Sequence, residues 1–212
     1  MHKFKDRKEG GEQLGAKLKA YANNPDVLIL GLPRGGVPVA FEISKALHAP
    51  LDAFIVRKLG VPGQSELAMG AIAMGDIRVF NEDIIQRLGI SPEEIEEVTA
   101  REARELERRD KLYRKGRPVP ELKNRIVILV DDGLATGATM HAAVDAVKKK
   151  DPKKIIVAIP VAPEDTVRAF EKEVNVICLS TPQVFYAIGE WYESFAQTTD
   201  EEVIAILERS PI

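Results

Sequence analysis

The residues best equipped for chemistry lie together in Asp131-Asp132-Gly133-Leu134-Ala135-Thr136-Gly137-Ala138-Thr139, directly after the apolar run Ile126-Val127-Ile128-Leu129-Val130. A strand covered on both faces would deliver two adjacent carboxylates to its C-terminal end, where open α/β sheets bind ligands. Small residues and hydroxyls then lead into a helix. Gly137 lets a ligand approach the backbone, free N–H groups and the helix dipole favour an anion, and Thr136 and Thr139 add donors. Ala135, Thr136, Gly137, Ala138 and Thr139 thus read as a phosphate cradle. Two carboxylates would repel the phosphate, but they are strong acceptors from vicinal hydroxyls of a sugar attached to it. The constellation reads as a ribose 5-phosphate held at both ends. It lacks the Gly-Lys-Ser/Thr of a Walker loop and is no dinucleotide fingerprint.

A second anion loop is offered by Leu30-Gly31-Leu32-Pro33-Arg34-Gly35-Gly36. Gly35 and Gly36 would expose backbone N–H groups at a helix start, and the charge of Arg34 suits phosphate oxygens.

These loops need a scaffold of strands and helices. Apolar spacing predicts a helix over about 8–23, a strand at 27–30, a helix at 37–47 and a strand at 51–56. Gly60, Pro62, Gly63 and Gly70 make 59–70 read as a mobile loop, and 71–80 as a hairpin turning at Gly75-Asp76. Two helices follow, the second capped by Ser91-Pro92-Glu93-Glu94 and ending near Gly116. Its pairs Glu97/Arg101, Glu105/Arg109 and Glu107/Lys111 suit a solvated helix or a dimer contact better than an RNA-binding arm. From Ile126 a βαβ rhythm resumes: strand 126–130, helix 138–150, strand 155–159, helix 163–172 and strand 174–179. Alternating strands and helices imply an α/β fold with a doubly wound, mainly parallel sheet.

Four apolar residues, two acids, then Ala-Thr-Gly and a hydroxyl residue resemble the phosphoribosyl pyrophosphate signature of type I phosphoribosyltransferases. The resemblance covers about residues 27–195 and is strongest at 126–139. It implies a single domain over 1–212, with a helical insertion at about 81–117 and a C-terminal hood or tail at about 181–212. It also implies roles. Asp131 and Asp132 would orient the ribose hydroxyls, with Mg²⁺ bridging pyrophosphate and sugar mainly through the substrate and the two acids as the candidate protein groups beside it. Arg34, Gly35 and Gly36 would receive pyrophosphate, in a loop where the family often has a non-proline cis peptide. Arg57 and Lys58 open what would be the flexible catalytic loop and would neutralise the departing pyrophosphate. Gln64, Ser65 and Glu66 would form its tip. In purine members a terminal aromatic stacks on the base, a task that Phe185 or Tyr186 could perform. A hydrophobic plug containing Trp191 and Phe195 is the competing use of that segment.

The sequence departs from the 6-oxopurine members at Ala135, where many carry an acid. His2, His48 and His141 offer no obvious replacement, so acid–base help stays unassigned. The chain most resembles bacterial and archaeal members of undefined acceptor. With 30 basic and 33 acidic residues among 212, net charge −3, no global positive field recruits nucleic acid. One cysteine, Cys178, excludes a disulfide framework, and no apolar run reaches the ~20 residues of a membrane span. The expectation is a cytoplasmic homodimer, independent of membrane and nucleic acid, whose partners are phosphoribosyl pyrophosphate and a nitrogen acceptor. The same site would serve a sensor that binds phosphoribosyl pyrophosphate without transfer. A kinase or nucleotide hydrolase is disfavoured by the missing Walker lysine.

Overall fold

The computed structural model describes residues 3–210, with Glu66 described by its backbone alone. After α1 (Arg7–Lys17) come β1 (Val27–Gly31), α2 (Gly36–Leu47) and β2 (Leu51–Ala53). A middle section holds β3 (Val56–Val61), β4 (Gln64–Ala73), β5 (Ile77–Phe80), α3 (Glu82–Leu88) and α4 (Pro92–Arg114). The remainder comprises β6 (Ile126–Val130), α5 (Ala138–Lys148), β7 (Lys154–Val161), α6 (Glu164–Glu171), β8 (Asn175–Ser180) and α7 (Asp200–Arg209).

Five strands pair in parallel in the order β2-β1-β6-β7-β8. Period-two alternation sends their side chains to two cores. Leu28, Leu30, Val127, Leu129, Val157 and Ile159 pack with α5 and α6 through Met140, Val144, Val147 and Phe170. Val27, Ile29, Ile126, Ile128, Val130 and Ile156 pack with α1, α2 and α7 through Leu14, Leu18, Val37, Ile43, Val203 and Leu207. The sheet is doubly wound, as its unbroken apolar strands imply. Each such aliphatic side chain contributes about 1.5–3 kcal/mol by burial. Among the described residues no helix is long and apolar enough to cross a membrane.

The predicted mobile loop at 59–70 is instead a β-hairpin. β3 and β4 pair antiparallel around Pro62-Gly63, with Gly63 at φ +76°, and β4 pairs with β5 around Gly75-Asp76, both at positive φ. These turns follow from Pro-Gly and Gly-Asp chemistry. The predicted strand 51–56 splits accordingly: β2 ends at Ala53, and Val56 already belongs to the second sheet. The helix predicted over 8–23 ends at Lys17, followed by one 3₁₀ turn at Lys19–Tyr21. α3 and α4 pack on the three-stranded sheet through Ile84, Ile85, Ile95, Val98 and Leu106 against Leu59, Val61, Met69 and Ile72. α4 begins with the expected capping box at Ser91 and Glu94 and carries the expected Glu105–Arg109 and Glu107–Lys111 pairs.

Candidate active site

In the strand order, β1 and β6 are neighbours whose onward connections leave in opposite directions, β1 to β2 and β6 to β7. Their C-terminal ends therefore flank the topological switch point, the usual ligand crevice of such sheets. The two predicted anion loops are the segments leaving these two strands, and they touch. Leu32 N–H donates to the Val130 carbonyl at 2.8 Å. A Cβ on Gly35 would sit 2.0 Å from Asp132 Oδ2, and one on Gly36 would sit 2.5 Å from the Val130 carbonyl oxygen and 2.8 Å from Asp131 Cα. Both glycines are demanded by this contact. The Pro33–Arg34 peptide is cis, and α2 starts at Gly36.

The acids differ in environment. Asp131 is half-buried and its Oδ1 accepts the Asp132 backbone N–H at 2.9 Å. Loss of hydration, and then the neighbouring Asp132 carboxylate, push the Asp131 carboxyl well above its ordinary range. Asp132 is buried, and its Oδ2 meets Arg7 Nε at 2.7 Å. Tyr192 donates its hydroxyl to the Asp132 carbonyl at 2.6 Å. Burial raises that phenol further, so it remains a donor. Arg7 and Tyr192 come from opposite ends of the chain; nothing in the spacing of their neighbours announced them.

The cradle is shaped from α6. Gly137, at φ +74°, caps α5, and a Cβ there would lie 2.8 Å from Phe170 Cε2. Thr166 Oγ1 donates to the Ala135 carbonyl at 3.0 Å. Ala135, Thr136, Ala138 and Thr139 are exposed, so the mouth of α5 is accessible. His141, one turn into α5, stacks on Phe170 with ring centroids 3.8 Å apart. His2 lies outside the described residues.

A cleft of about 680 Å³ joins the loops to the second sheet; Pro33, Arg57, Lys58 and Thr139 line it, with Glu97 and Glu102 on the α4 side. The structure thus brings Arg57 and Lys58 to the predicted loops. Arg57 is engaged: Nε and Nη2 both donate to Glu102 Oε2, at 2.9 and 2.7 Å. Gln64 and Ser65 belong to the hairpin, as does the backbone of Glu66. The terminal aromatics divide. Phe185 stacks with Trp191 (centroids 6.5 Å apart) in a cluster with Phe4, Val161 and Tyr192, whereas Tyr186 is 82% exposed. Neither lines the cleft.

Carboxylate oxygens at the switch point suit a hard divalent cation, and the raised affinity of Asp131 for a proton is what a cation there would replace. Among the described residues no three His, Cys, Asp or Glu side chains converge on one point.

The geometry defines a doubly wound α/β protein with paired acids and two anion loops at its switch point. The phosphoribosyl transferase domain model matches residues 4–194, and the chain belongs to this family. It is 44% identical over 211 residues to two Mycobacterium tuberculosis proteins provisionally named phosphoribosyl transferases, from strains CDC 1551 and H37Rv. The match takes in 99% of this chain and 47% of theirs, so the chain spans about half the length of the curated relatives it matches. The crystal structure of TT1426 from Thermus thermophilus superposes with a TM-score of 0.89 at 40% identity, covering 98% of each chain. Protein AQ2163 from Aquifex aeolicus shares the fold at 15% identity, with a TM-score of 0.50 over 82% of this chain and 73% of its own.

Proposed function

We propose that this chain transfers the phosphoribosyl group of phosphoribosyl pyrophosphate to a nitrogen nucleophile and releases pyrophosphate. The observation that carries this reading is the contact between the two anion loops. Gly35 and Gly36 lie against Asp132 and Asp131, so pyrophosphate on one loop and ribose on the other would meet at C1 of the sugar. Ala135 to Thr139 hold the 5-phosphate as a remote handle whose binding energy positions the sugar. Asp131 and Asp132 accept from the ribose hydroxyls and stabilise the positive charge that develops as the C1–oxygen bond breaks. Arg34 and the Gly35 and Gly36 N–H groups receive pyrophosphate, joined by Lys58 and, once it leaves Glu102, Arg57. Asp131 and Asp132 are the residues that would hold Mg²⁺, which would supply neutralisation of the pyrophosphate charge. Of the two candidate aromatics, Tyr186 has the exposed face to offer a base.

The test is pyrophosphate release from phosphoribosyl pyrophosphate with and without Mg²⁺, across a panel of purines, pyrimidines and small amines. At least one acceptor should give Mg²⁺-dependent release, lost in Asp131→Asn/Asp132→Asn. Tight binding with no release for any acceptor would replace the transferase by a sensor, and absence of binding would end both readings.

A further inference from the structure

Asp132 is held far more firmly than a surface acid needs to be. Its salt bridge to Arg7 joins side chains only 11% and 13% exposed, across 125 residues of sequence. The arginine is itself fixed from two other directions. Nη1 donates to the Ala196 carbonyl at 2.7 Å, and the guanidinium carbon lies 4.0 Å from the centre of the Phe195 ring. The segment carrying it is laced to the tail. Phe4 N–H donates to the Trp191 carbonyl at 2.9 Å, Glu193 N–H to the Phe4 carbonyl at 2.8 Å, and Ser194 N–H to the Lys5 carbonyl at 2.9 Å. Tyr192 holds the Asp132 carbonyl, and Gly35 closes on its Oδ2. The Arg7 contact and the close approach of Gly35 thus fall on the same carboxylate oxygen, Oδ2, while the fork of the arginine is oriented by groups that are not acids. A lysine, with a point charge and no plane to stack, could not be located in this way.

We propose that Arg7 is a positioning residue for sugar binding: it locks the Asp132 carboxylate so that Oδ1 is offered to the ribose hydroxyls in a single orientation. The role rests on the reading of Asp132 as a ribose acceptor. It makes the two acids unequal, Asp132 being rigid and pre-oriented while half-buried Asp131 is the one left to adapt to sugar and cation. It also makes the folding of the N-terminal segment onto the tail a condition for a competent donor site.

A double-mutant cycle between Arg7→Met and Asp132→Asn, read on the dissociation constant of phosphoribosyl pyrophosphate by calorimetry and on kcat and KM, tests this. Methionine keeps apolar packing over Phe195 and removes the fork. Misplacement of a sugar acceptor by about 1 Å is expected to cost roughly 100-fold in kcat/KM, since orientation carries rate. In the Asp132→Asn background the same change should cost less than about 3-fold, because its effect acts through Asp132. Arg7→Lys, which keeps the charge, should recover only about one tenth of the lost kcat/KM, and carries the test should the methionine variant not fold. Equal losses in both backgrounds, or full recovery with lysine, would overturn the positioning role while leaving the donor site standing. Failure of the unaltered protein to bind phosphoribosyl pyrophosphate at all would remove the functional reading beneath it.

Discussion

Gly35 has the backbone of an ordinary helical residue, φ −63° and ψ −29°, so alanine there would bring no conformational strain. What alanine would bring is a methyl carbon 2.0 Å from Asp132 Oδ2 and 2.6 Å from its Cγ. Either the acid or the anion loop must move, and both belong to the proposed donor site. Gly35→Ala is therefore expected to lower kcat/KM for phosphoribosyl pyrophosphate by about 100-fold through misplacement. Its stability cost should stay within the roughly 1–3 kcal/mol of a local overpacking. Steady-state pyrophosphate release beside chemical denaturation measures both; unimpaired release would show that the loops need not touch during turnover. At this scale the sequence was legible where chemistry is local. Asp131, Asp132, Thr136, Gly137 and the Gly35-Gly36 pair carry their meaning in their neighbours. Arg7 and Tyr192 could not be found so, because their contacts with Asp132 span 125 and 60 residues and no periodicity encodes which surface arginine will be folded inward.

The element that ties the second sheet and its helices to the central one ends in Arg114. This side chain, 2% exposed at the last turn of α4, meets Asp52 Oδ2 and Asp110 Oδ1 at 2.7 Å each and the Pro118 carbonyl at 3.0 Å. Burial raises the Asp52 carboxyl above its ordinary value, with Arg114 opposing that rise. The sign of the pH effect follows. Asp52 holds its proton more tightly folded than unfolded, so its ionisation costs stability as pH climbs from the ordinary carboxylate value through the raised one. Arg114→Met removes the opposing cation and leaves a buried charge, which should cost about 3–5 kcal/mol at pH 7. The gap to the unaltered protein should narrow as pH falls below the raised Asp52 value, where a protonated Asp52 needs no partner. Urea unfolding at several pH values gives the answer, and a gap independent of pH would mean that lost packing, not charge, is responsible. Elements whose pattern is periodic were readable in advance: the five parallel strands, the Ser91 cap and the Gly75-Asp76 turn. The β3–β4 hairpin was not, because its glycines suggest a loop. In place they serve pairing: a Cβ on Gly60 would meet the Ser65 carbonyl at 2.7 Å, and one on Gly70 would meet the Val79 carbonyl at 2.4 Å. Close approach of backbones and looseness of a chain leave the same mark in a sequence.

Taken whole, the molecule sets a five-stranded parallel sheet against a three-stranded antiparallel one, with the cleft of about 680 Å³ between them. The proposed 5-phosphate cradle and sugar acids belong to the first body, Arg57 and Lys58 to the second. Arg57 is spoken for by Glu102 of α4 within that same second body. On the proposed function, binding of the donor and completion of the reaction centre should be separable: the first body would suffice to bind, and the tip of the hairpin would be needed for turnover, where it would exclude water. Replacing residues 61–66 by Asn-Gly, a pair suited to a two-residue hairpin turn, shortens the hairpin while leaving Arg57 and Lys58 in β3. Phosphoribosyl pyrophosphate at about 100 times its dissociation constant should stabilise both proteins by roughly 2.7 kcal/mol, a rise in Tm of about 5–11 °C for a chain of this size. Pyrophosphate release should fall at least about 100-fold in the shortened protein alone. Loss of the thermal shift together with turnover would place the hairpin in donor binding itself, and turnover at the original rate would deny it any part in the reaction. Since both readouts come from one protein preparation, a misfolded variant identifies itself by its lowered Tm in the absence of ligand.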